Sequence, residues 1–124
     1  MEPIRPHAES YTTFSAEVVT RAQGLLADTP VLTEAQAESL RQSQAPKWRL
    51  ADGRLTRTFT FDQVSESQAF THRVQGLSHS RSQHPNIFVD FKAVHIELWT
   101  QAKGGLTRHD FDLAQLIDQA LDMP

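Results

Sequence analysis

No cysteine occurs in this chain, which excludes a disulfide framework, a thiolate metal site and a cysteine nucleophile. No apolar run approaches the roughly 20 residues that a membrane-spanning helix needs. Basic charge is also in short supply. Twelve Lys and Arg face fifteen Asp and Glu, leaving a formal charge of -3, which argues against a general nucleic-acid or anionic-membrane binder. The opening MEPIRPHAES lacks the basic-then-apolar order of a signal peptide, so the cytoplasm is the expected compartment. The six histidines form no HExxH pattern, and no metal is expected. What remains is an ordinary soluble composition, 39% hydrophobic and 22% charged over 124 residues. That length suits one domain able to bury its own core.

Residues 1–31 read as an arm followed by an extra helix. Two prolines and little apolar content mark the arm, while Phe14, Val18, Ala22, Leu25 and Leu26 recur near helical spacing up to Thr29-Pro30. The compact domain is expected over 32–124. Thr33-Glu34-Ala35-Gln36 is a capping box, and its helix should run to about Ser43, before Pro46. Trp48 and Leu50 alternate as a strand does, and Asp52-Gly53 is the strongest hairpin signal present. Leu55, Arg57, Phe59 and Phe61 then line one face of the return strand, with threonines on the other.

A second helix is expected from Ser65, boxed by Gln68, with Phe70, Val74 and Leu77 as its buried stripe and fraying in the polar tract from Ser78 to Ser82. Ile87, Val89 and Phe91 alternate, and so do Val94, Ile96 and Leu98, which predicts two further strands joined near Lys92-Ala93 without a recognisable turn signal. Leu106-Thr107-x-x-Asp110-Phe111 opens a last helix with a carboxylate at its third position. The resulting order is α-β-β-α-β-β-α after the extra helix. Two hairpin-like pairs with polar faces predict an α+β fold: a four-stranded antiparallel sheet with helices on one face.

The pieces LTEAQ, PKW, LTRTFTF, AF-x-x-x-V, HPNIF, VHI and GLT-x-x-D, spread from Leu32 to Leu121, resemble the pterin-4a-carbinolamine dehydratase family. The resemblance implies the same element order, a homo-oligomer (dimer or tetramer), and activity as a hydro-lyase needing no cofactor. It also implies a site. The family places a histidine, then His or Asn, then Pro, at positions that here hold Gln83, His84 and Pro85. A further family histidine falls on Gln101, the family aspartate on Asp110, and Phe91 takes an aromatic position.

Dehydrating a 4a-hydroxytetrahydropterin means protonating a leaving hydroxyl while a ring nitrogen loses its proton. Imidazole suits both tasks near pH 7. A glutamine amide binds but does not titrate. His84 would carry the proton, Asp110 would orient it, and His79 is a possible assistant. Asp110 also has a plain structural reading, as a carboxylate favouring a helix start. His109 adjoins Asp110 but points about 100° away around the helix.

Two functions follow. One is a protein-binding assembly factor with lost or weakened dehydratase chemistry. Family members without the catalytic histidines include Rubisco assembly factors of carboxysome-forming bacteria, which makes the Rubisco large subunit a candidate partner. Trp99, with His95 and Glu97 alternating beside it on an outward strand face, is the expected partner-binding patch. The alternative is an active 4a-hydroxytetrahydrobiopterin dehydratase serving pterin recycling for aromatic amino-acid hydroxylases. Neither requires nucleic acid or membrane.

Overall fold

Thr33 and Gln36 close the reciprocal bonds that their spacing implies. The Gln36 N–H donates to Thr33 Oγ1 at 3.1 Å and the Thr33 N–H to Gln36 Oε1 at 2.9 Å, so helix α1, Glu34–Gln44, starts with two of its orphan donors satisfied. The structure, a computed structural model, describes residues 29–81 and 83–121. The arm and extra helix expected before residue 29 lie outside the described residues.

After α1 the chain turns, and Arg41 stabilises the turn by donating to the Pro46 and Trp48 carbonyls. Strands β1, Arg49–Ala51, and β2, Arg54–Thr60, follow. Between them Asp52 and Gly53 both take positive φ, 54° and 73°, the left-handed pair that a two-residue hairpin requires. Helix α2 spans Val64–Ser80 and departs from expectation at both ends. Its cap is Gln63, whose N–H donates to Glu66 Oε1 at 3.0 Å, and Ser65 lies inside the helix. The Glu66 carboxylate is the stronger acceptor and draws the start two residues earlier than the Gln68 amide would. The far end does not fray at Ser78. The hydroxyls of Ser78 and Ser80 donate back to the Val74 and Leu77 carbonyls at 2.8 and 2.9 Å, so the polar tract stays helical to Ser80.

Strands β3, Asn86–Asp90, and β4, Ala93–Leu98, form the second hairpin. Phe91 is not a strand or core residue as its alternation suggested. It occupies the turn at φ 60° and is 72% exposed. Its carbonyl accepts from the Ser67 hydroxyl at 2.7 Å, while the Phe61 N–H donates to the Lys92 carbonyl at 2.9 Å. Tertiary bonds therefore set a turn that the local sequence does not announce. A short 3₁₀ turn, Gln101–Lys103, ends at Gly104 with φ 69°, and helix α3, Arg108–Leu121, completes the domain.

The sheet is antiparallel throughout, in the order β1-β2-β4-β3. Its inner face presents Leu55, Phe59, Ile87, Val94, Ile96 and Leu98, all buried against the helices. Helix α3 packs against both α1 and α2 and buries Phe111, Leu113, Ala114 and Ile117. Trp48 is fully buried, and its indole N–H donates to the Asp118 carboxylate of α3 at 2.9 Å. This α+β arrangement is the one the sequence predicts for 32–121.

Candidate active site

Asp110 sits in the first turn of α3 and is tied to Thr107, the residue that precedes the helix. The Thr107 N–H donates to Asp110 Oδ2 at 3.0 Å and the Asp110 N–H to the Thr107 carbonyl at 3.1 Å. The same carboxylate oxygen accepts the Thr100 hydroxyl at 2.8 Å, and the Thr100 and Thr107 hydroxyls lie 2.8 Å apart. Asp110 is fully buried. Burial pushes its carboxyl up to about 6, outweighing the hydrogen bonds from Thr107 and Thr100 that favour the anion.

The second Asp110 oxygen faces Gln83, whose amide nitrogen stands 3.5 Å away. Gln83 is held at its other end too, since Arg81 Nε donates to its Oε1 at 3.1 Å, and its backbone N–H donates to the Ser78 carbonyl at 2.9 Å. Arg81 reaches Asp112 of α3 at 4.0 Å. The chain leaving α2 is thus fastened to the start of α3, with the Gln83 amide as the link.

His84 is half-buried beside this link. Burial lowers its pKa first, and the positive charge of His79 lowers it further, so the two imidazoles sit close enough to feel one another. Gln101 opens the 3₁₀ turn and is exposed, directly after Thr100. Pro85 is buried. His109 turns to Thr29, with its Nε2 3.2 Å from the hydroxyl. The structure brings the Gln83 amide to Asp110 and His79 within electrostatic reach of His84, and leaves Gln101 exposed next to Thr100. Thr100 and Arg81, which position Asp110 and Gln83, were not foreseen. Neither lies at a spacing that a helix or strand period would flag.

His95, Glu97 and Trp99 do share the sheet's outer face, but as members of a bonded row. The Thr58 hydroxyl lies 2.7 Å from His95 Nδ1, and His95 Nε2 lies 3.3 Å from Glu97. Glu97 also takes Arg54 at 2.8 Å. The Arg54 guanidinium lies 3.9 Å from the centre of the Trp99 ring, which is half-buried rather than exposed. Among the described residues no group of three or more His, Asp or Glu is placed to hold a metal ion. A groove of about 630 Å³ opens towards the β1–β2 hairpin, lined by Trp99 and Arg54 but by none of Gln83, His84, Gln101 and Asp110.

The family model for pterin 4 alpha carbinolamine dehydratase matches residues 30–120. The chain belongs to this family. A protein of Nitrosomonas eutropha, provisionally named pterin-4-alpha-carbinolamine dehydratase, is 36% identical over 92 residues, covering 74% of this chain and 81% of that one. A relative in Chloroflexus aurantiacus with the same provisional name is 37% identical and covers 74% of this chain and 98% of its own. Among solved structures, a transcriptional coactivator/pterin dehydratase of Brucella melitensis superposes with a TM-score of 0.70 at 22% identity, over 74% of this chain and 99% of that chain. At that identity the likeness shows the fold. A pterin dehydratase-like protein identified as a RuBisCO assembly factor in the alpha-carboxysome superposes with a TM-score of 0.53 at 25% identity, over 63% of this chain and 93% of its own. The structural neighbours of this chain therefore include a dehydratase-like protein identified as an assembly factor.

Proposed function

We propose that this chain is a pterin dehydratase-like protein whose dehydratase chemistry is weakened or lost and which acts as a protein-binding assembly factor. One observation carries the reading. The side chain at the first family histidine position is a Gln83 amide held between Arg81 and the buried Asp110. An amide so held fills the space of an acid-base group without being able to accept and return a proton. Gln101, at the other family histidine position, has the same limitation. The structural likeness to a RuBisCO assembly factor supports the assembly role, and the Rubisco large subunit is the candidate partner. The chain would work in the cytoplasm as a dimer or tetramer.

An active dehydratase is the second reading. It is favoured by His84 and His79 standing near enough for one to depress the pKa of the other, and by the burial that raises the Asp110 carboxyl to about 6. His84 would then relay the proton, Asp110 would orient the substrate, and no cofactor would be required. A direct assay with 4a-hydroxytetrahydropterin separates the two. The wild-type chain is expected to turn over at least about 100-fold more slowly than a Gln83→His, Gln101→His variant. Brisk wild-type turnover that vanishes in His84→Ala would end the assembly-factor reading. Co-expression with a Rubisco large subunit is expected to raise the yield of assembled enzyme.

A further inference from the structure

The groove beside the β1–β2 hairpin lies away from the junction just described, and its lining has a definite chemistry. Leu32, Ala37, Leu50, Trp99 and Leu106 supply apolar walls. Val31, 45% exposed, stands at the edge, packed so closely on Gly105 that a Cβ there would meet it at 2.9 Å. Three carboxylates line the groove, Glu34, Glu38 and Asp52, against the single guanidinium of Arg54. Arg54 is already committed to Glu97 and Trp99, and Glu38 to Arg41. Glu34 and Asp52 make no ion pair among the described residues. The groove thus combines apolar walls with negative charge that no ion pair among the described residues compensates at Glu34 and Asp52.

We infer that this groove docks a short basic amphipathic segment of a partner protein, an apolar side chain among its apolar lining residues and Lys or Arg beside Glu34 and Asp52. The inference rests on the protein-binding reading above and names the surface and the partner chemistry. Charge complementarity selects this occupant over the nearer ones. Residues 1–28 carry Glu2, Glu9, Glu17 and Asp28 against Arg5 and Arg21, and a second copy brings a net charge of -3. Both match the sign of the groove.

The two tryptophans provide a readout, because Trp48 is fully buried while Trp99 lines the groove. The full chain is titrated with a synthetic peptide placing leucine and lysine on opposite faces of a helix, with a leucine–glutamate counterpart, and with a scrambled leucine–lysine peptide. The patterned lysine peptide is expected to shift Trp emission saturably, and Trp99→Phe to remove that shift. Neutralising Glu34→Gln with Asp52→Asn should weaken binding roughly fivefold, about 1 kcal/mol for the pair. Asn is chosen because it tolerates the positive φ at residue 52. Asp62→Asn with Asp90→Asn, exposed carboxylates outside the groove, should leave binding unchanged.

Equal weakening by both pairs, or equal binding of the three peptides, would overturn the proposal. So would a Trp99 emission change produced by Val18→Glu with Leu25→Glu alone, which would give the groove to the chain's own segment. Failure here with slow dehydration leaves the assembly reading standing and removes only this surface. Brisk dehydration removes the assembly reading itself.

Discussion

Asp110 shows at the scale of one side chain how burial and hydrogen bonds compete over a carboxylate. Its carboxyl is raised to about 6 by burial. A raised acid contributes stability in its neutral form, which is fully present below the ordinary value of about 4 and lost as pH climbs through about 6. Asp110→Asn imitates the neutral form at every pH. The advantage of the Asn variant over wild type is therefore expected to grow between pH 4 and pH 7, by on the order of 2 kcal/mol. Urea unfolding of both proteins across that range measures it, and a constant difference would show that the carboxylate is solvated. Glu97 runs the other way. Hydrogen bonds from Arg54, Asn86 and His95 outweigh its burial and lower its pKa, so its contribution is present above the ordinary carboxylate value and lost as pH falls. The helix-start role of Asp110 was legible from the spacing Thr107-x-x-Asp110. Its burial was not, because the Thr100 hydroxyl arrives from the end of another element, and sequence periodicity is silent about such partners.

The two hairpins show what decides legibility at the scale of an element. Asp52-Gly53 names its own turn, since aspartate and glycine are suited to the left-handed backbone both adopt. Phe91-Lys92 names nothing, and its turn is built by Ser67 and Phe61 from outside the hairpin. The alternation of Ile87, Val89 and Phe91 therefore led one residue too far. The same contrast sets the mutational response. Gly53→Ala forces a Cβ into φ +73° and should cost about 1 kcal/mol. Phe91→Asn gives up little packing, the ring being 72% exposed, and relieves a bulky residue at positive φ. It should stabilise by about 0.5–1 kcal/mol. Thermal unfolding of the two variants checks both signs. A destabilised Phe91→Asn would mean that the exposed ring is packed against something in solution.

At the scale of the whole molecule, the three α-helices among the described residues cover one face of the sheet. The loop from Trp99 to Thr107 divides two sites, with Thr100 and Thr107 behind Asp110 and Trp99, Gly105 and Leu106 on the groove. Substitutions at Gln83 or on the groove rim should leave that architecture alone, because the layers are tied together elsewhere. Asp118 of α3 makes the tie. It accepts Trp48 Nε1 at 2.9 Å and Arg57 Nη1 at 2.6 Å, joining the last helix to β2 and to the chain entering β1. Asp118→Ala would strand a fully buried indole N–H and a guanidinium that points inward from the sheet. The expected loss is about 2 kcal/mol, most of it the cost of the unpaired donors. Asp118→Asn should fall between, since its carbonyl can still accept from Trp48 while the charge opposite Arg57 is gone. Urea unfolding followed by Trp48 emission tests the series in a Trp99→Phe background. An alanine variant within about 0.5 kcal/mol of wild type would mean that packing alone holds Trp48, Arg57 and α3 in register.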